Sequence, residues 1–135
     1  MVDRATEWLK SKKDYSVAII RISLALVLLW FGIDELRHPE YWVGFFPPWL
    51  TPLLPVSSDA FLAFNGLVEI TIGALLLIGF YARVFGAIAC LHLLFIAAAV
   101  GYNDIAIRDL GLAAMALSLV FSGAGNLSID ERKHG

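Results

Sequence analysis

Apolar residues do not alternate along this chain; they come in long blocks. The first covers residues 16–33 and is broken only by Arg21, and the second, 60–80, holds one acid, Glu69. The third, 84–100, holds His92, and the fourth, 105–122, carries Arg108 and Asp109 near its start. At about 1.5 Å of rise per residue, a block of roughly 18–20 residues covers the roughly 30 Å hydrocarbon core of a bilayer. Continuous apolarity without a two-residue alternation fits helices and not a barrel. The pattern therefore predicts a single all-α domain, a membrane-embedded antiparallel four-helix bundle with spans at 16–33, 60–80, 84–100 and 105–122. The turns at 79–83 and 101–104 are short enough to make the second, third and fourth spans antiparallel neighbours.

Composition agrees. Of 135 residues, 59% are apolar and 16% charged, against about 45–50% and about 25% in soluble domains. A soluble enzyme and a disordered chain are both excluded on that ground. The net charge of −2 provides no basic stripe, so nucleic acid is not an expected partner. Cys90 is the single cysteine, which excludes an intrachain disulfide, a CxxC pair and a multi-cysteine zinc site; no metal site is expected. The first block is longer than a signal-peptide core and no A-x-A site follows it, so it reads as an uncleaved anchor.

Basic residues orient the bundle. Arg4, Lys10, Lys12, Lys13, Arg83, Arg132 and Lys133 fall on one side, and Arg37 and Arg108 on the other. Both termini, with the tail 123–135, are expected in the cytoplasm of a multi-pass cell-membrane protein. The loop 34–59 then lies outside. It holds all five prolines, which prevent a spanning helix, together with Tyr41, Trp42, Phe45, Phe46 and Trp49. A segment so aromatic is expected to form a structured lid in the outer interface, with Tyr41, Trp42, Phe46 and Trp49 turned toward the acyl chains.

Ionisable groups at membrane depth cost a few kcal/mol even on the gentler scales, so each needs a partner or a task. Glu69 and His92 fall near the midplane, and Asn65 shares the face of Glu69 one turn away. Arg21 sits about a turn and a half inside the cytoplasmic edge, where it either snorkels to headgroups or turns inward to pair with Glu69. Arg108 and Asp109 lie inside the outer edge, either as an interfacial pair or as part of the interior. The expected polar core, a ligand site or a structural network, is Arg21, Asn65, Glu69, His92, Arg108 and Asp109. Gly66 and Gly73 beside Glu69, Gly86 and Cys90 in the third span, and Ala114, Ser118 and Ser122 in the fourth allow close helix contact.

Trp30-Phe31-Gly32 with Leu36 and Pro39, Gly66-x-x-Glu69-Ile70-x-x-Gly73 running to Gly79 and Arg83, Arg108-Asp109-Leu110-Gly111-Leu112, and Gly123-x-Gly125-x-x-Ser128-x-Asp130 occur in that order. Together they resemble the DoxX family of small four-span membrane proteins, over residues 21–130. The resemblance implies four antiparallel helices around a polar interior. It also implies a link to the membrane subunit of a thiosulfate:quinone oxidoreductase. One departure is Glu35, which stands where the family usually shows a lysine before the leucine that follows Gly32.

Three functions are compatible with these residues. A quinone- or lipid-binding subunit of a redox-linked complex would take a quinone as cofactor and need a partner subunit. One cysteine and one histidine at membrane depth provide neither a dithiol nor two axial haem ligands. A non-catalytic protein binding a lipid or small amphiphile, or a scaffold, needs only a hydrogen-bonded cleft. A proton or solute pathway would use the stacked ionisable groups. Four spans with small-residue faces also make a homo-oligomer an expected partner arrangement.

Overall fold

A computed structural model describes residues 2–134 of the chain. They fold into helices, with no strand among the described residues. A short α1 (Val2–Lys10) precedes the first span, α2 (Lys13–Arg37). The lid holds α3 (Pro39–Val43) and a 3-10 turn (Thr51–Leu53). Three further spans follow as α4 (Ser58–Ile78), α5 (Ala82–Val100) and α6 (Asp104–Ser122), and the chain ends in α7 (Ile129–His134). α2, α4, α5 and α6 are each long and apolar enough to cross a bilayer.

Local chemistry sets most helix ends. Ser57 Oγ accepts the Ala60 N–H at 3.2 Å and Asn103 Oδ1 accepts the Ala106 N–H at 3.0 Å, capping α4 and α6. Gly79, at φ +69°, closes α4 in the left-handed conformation that glycine adopts without penalty. α5 has no side-chain cap from its own N-cap residue, Tyr81. Its first amides are met from the far end of the chain, where the Asp130 carboxylate accepts the N–H groups of Tyr81 and Ala82, each at 2.8 Å.

The bundle is two close pairs. In α2 and α4 the backbones touch: a Cβ on Gly32 would lie 2.6 Å from the Gly66 carbonyl oxygen, and one on Gly66 2.7 Å from that of Gly32. Gly86 does the same for α5 and α6, where a Cβ would lie 3.0 Å from Ala116 O. Leu24, Leu28, Leu76, Leu93 and Leu119 fill the seam between the pairs and are buried. Cys90 joins this seam as a packing residue. Leu67, Leu91 and Phe121 are exposed on the outside, as expected of helices whose outer faces meet lipid.

Arg21 is not where an inward pair with Glu69 would put it, and that expectation is overturned. Its guanidinium is fully buried and donates to five carbonyls. Nε bonds Ala124 O (2.8 Å), Nη1 bonds Leu76 O (2.7 Å) and Leu77 O (2.6 Å), and Nη2 bonds Asn126 O (3.0 Å) and Leu127 O (2.9 Å). The reason is geometric. The last carbonyls of α4 lack the amide of a continuing helix, Leu76 O meeting only the Gly79 N–H at 3.0 Å, and the chain after Ser122 folds back to bring three more within reach. The side chain therefore ties the end of α4 to the C-terminal segment, and the polar interior is not one column but two separate ends.

Candidate functional site

At the lid end, residues of α2, α4, α5 and α6 line a cleft of about 70 Å³. α2 contributes Glu35, α4 contributes Phe61, Asn65 and Glu69, α5 contributes Phe95 and Ile96, and α6 contributes Arg108. Trp42, Phe45 and Phe46 of the lid close it from above. The location follows from the connectivity: α4 and α5 are joined by a tight turn at the opposite end, so any divergence between them opens here.

The polar groups form one cluster. Asn65 Nδ2 donates to Glu35 Oε2 at 2.8 Å. Arg108 Nε donates to Asp109 Oδ1 at 2.8 Å, and its Nη2 lies 2.7 Å from the same oxygen. The guanidinium carbon lies 3.9 Å from the Phe31 ring centroid and 5.9 Å from that of Trp42, a cation–π arrangement that holds the arginine beneath the lid. His92 Nε2 is 3.4 Å from Glu69 Oε1 but lacks hydrogen-bond alignment. Three buried atoms are left without a partner: Glu69 Oε2, His92 Nε2 and Asp109 Oδ2. Buried polar atoms are nearly always satisfied, and each orphan costs about 1–3 kcal/mol. Of these three residues Glu69 lines the cleft, and His92 and Asp109 do not. Among the described residues no three of His, Cys, Asp and Glu converge as metal ligands would.

The lid is tethered from below. Asp34 Oδ2 accepts from Trp42 Nε1 at 3.0 Å, and Asp34 Oδ1 meets His38 Nδ1 at 2.9 Å. Trp42 is thereby buried, with Phe31 and Tyr41 packed edge-on against it. Phe46 packs edge-on against Phe61. Trp49 and Tyr41 are exposed, and neither lines the cleft.

The structure thus brings Asn65, Glu69, His92, Arg108 and Asp109 together and leaves Arg21 at the other end. The family model for DoxX matches residues 16–102. The chain belongs to the DoxX family. It is accordingly a multi-pass membrane protein, by family and by its four apolar helices. No curated protein and no solved structure matches it. The matched stretch supplies the α2, lid, α4 and α5 walls of the cleft. Arg108 and Asp109 of this DoxX protein, and its C-terminal clamp, lie beyond that stretch.

Sequence reasoning treated Glu35 only as a departure from the family pattern, yet it is 7% exposed and lines the cleft. The available signal was its position one turn after Gly32, on the face where α2 touches α4. Asp130 was likewise missed as a cap. The signal there was a helix start at Ala82 with no capping residue of its own.

Proposed function

We propose that this DoxX-family protein binds an apolar-tailed amphiphile, seating a hydrogen-bond-donating head in the cleft beneath the lid. The observation that carries the reading is Glu69, a cleft-lining residue whose buried Oε2 has no protein donor. A rotation of the carboxyl brings that oxygen to a head offering N–H or O–H, while Phe46, Phe61 and Phe95 favour an apolar tail. The cleft's size supports a small head. An engineered cavity of about 150 Å³ takes a benzene ring, so about 70 Å³ admits a few heavy atoms, with the remainder of the ligand running out past the aromatics. A quinol, whose hydroxyls donate to carboxylates, is the redox-linked member of that class. Its oxidation would need a partner subunit, since this chain has one cysteine and three histidines in all.

The same proposal places the lid on the outside of the cell membrane and both termini in the cytoplasm. Lys12, Lys13, Arg83, Arg132 and Lys133 support this, all lying in or beside elements at the end opposite the lid. Two experiments test the reading. Purification in mild detergent followed by organic extraction and mass spectrometry is expected to recover a small amphiphile near stoichiometric amount, and less from Glu69→Gln. Wild-type protein that carries none, and gains none from native lipid extract, refutes it. Reporter fusions at each terminus are expected to read cytoplasmic.

A further inference from the structure

We infer that the head this cleft selects is a primary ammonium on an apolar tail, an inference that rests on the amphiphile reading above. Two carboxyls, Glu35 and Glu69, line the cleft, and each is more than nine-tenths buried. Neither has a full cationic partner. Arg108 directs Nε and Nη2 at Asp109, Asn65 offers Glu35 an uncharged amide, and His92 reaches Glu69 without a hydrogen bond. A buried carboxylate is costly unless it is paired and hydrogen-bonded. A cation entering the cleft they both line supplies both.

Donor count and size narrow the cation. A primary ammonium presents three N–H donors, which the Glu35 and Glu69 carboxylates can accept once Glu69 turns toward the cleft. It also fits about 70 Å³ together with its first methylenes. A trimethylammonium is bulkier and donates nothing. The rings of Trp42, Phe45 and Phe61 line the same cleft and give the first methylenes an apolar wall. Glu35 and Glu69 repel an anionic head, and the Arg108 guanidinium in the same wall is already paired with Asp109, so discrimination is built from repulsion as well as attraction.

The test uses the full chain in phosphatidylcholine nanodiscs and subtracts partition into empty discs. The probes are dodecylamine, dodecanol, dodecyltrimethylammonium, dodecanoate and butylamine, and binding is read by calorimetry. Dodecylamine is expected to bind at least about tenfold tighter than any other probe, and to weaken about tenfold in Glu69→Gln or Glu35→Gln. Circular dichroism checks each variant, and if one fails to fold the other decides. Equal or tighter binding of dodecanol, dodecanoate or the trimethylammonium overturns the ammonium assignment and leaves the amphiphile reading standing. Butylamine binding as tightly as dodecylamine shows a site for free amines and overturns the tailed ligand. Binding of no dodecyl probe overturns both.

Discussion

Replacing Arg21 by alanine removes five donors at once. The bonds to Leu76 O and Ala124 O are fully buried, and those to Leu77, Asn126 and Leu127 are partly so. Water can recover the three partly buried carbonyls, and Leu76 O keeps the Gly79 N–H at 3.0 Å, so Ala124 O is the buried acceptor left bare. The two fully buried bonds are charge-assisted, worth about 1.5–3 kcal/mol each, so Arg21→Ala is expected to cost about 3–6 kcal/mol. That is a large share of the roughly 5–15 kcal/mol that holds a typical protein folded. The loss falls on a particular place, the segment after Ser122, which also delivers Asp130 to the start of α5. Arg21→Lys keeps the charge but has only three donors, so an intermediate cost is expected. The assay is thermal unfolding in mild detergent, followed by circular dichroism, with limited proteolysis of the C-terminal segment. Faster cleavage after Ser122 and a lowered midpoint are expected, in the order alanine, lysine, wild type. An alanine variant that matches wild type in both would show that the guanidinium does not hold this end together.

Other substitutions probe different contacts. Gly66→Ala places a methyl group 2.7 Å from the Gly32 carbonyl oxygen and is expected to cost about 1–3 kcal/mol by prising α2 from α4. Gly111→Ala meets nothing within 4 Å and is expected to be neutral or to gain up to about 1 kcal/mol; thermal midpoints separate the two. Asp130→Ala uncovers two amides of α5 and is expected to cost about 1–2 kcal/mol, read by unfolding and by faster hydrogen exchange at Tyr81 and Ala82. Trp42→Phe keeps an aromatic ring but removes the bond to Asp34. It is expected to lose about 1 kcal/mol and to raise protease sensitivity across residues 44–56, with the bundle intact.

The four spans were legible because apolar length is a property of the sequence alone, and so was the interior placement of Glu69 and Asn65, one turn apart on one face. The Arg108–Asp109 pair is likewise between chain neighbours. What could not be read depends on how helices face each other. His92 and Glu69 approach only because α4 and α5 present those faces at that level. Glu35 follows Asp34 at the end of an apolar run and looks like an interfacial acid until Gly32 draws α2 onto α4. The partners of Arg21 are backbone carbonyls, which leave no signature in residue types. Its expected partner, Glu69, was the only acid in the neighbouring apolar block, and the sequence could not reveal that the C-terminal segment folds back to supply acceptors.

Photo-crosslinking tests the central claim most directly. A dodecylamine and a quinol, each carrying a diazirine in the tail, would be irradiated with the protein in membranes, and the labelled peptides mapped. The expected result is label at the cleft walls around Phe46, Phe61 and Phe95, displaced by excess untagged amphiphile of at least one head type and reduced in Glu69→Gln. Label spread over the outward Leu67, Leu91 and Phe121, with no displacement, would contradict the account.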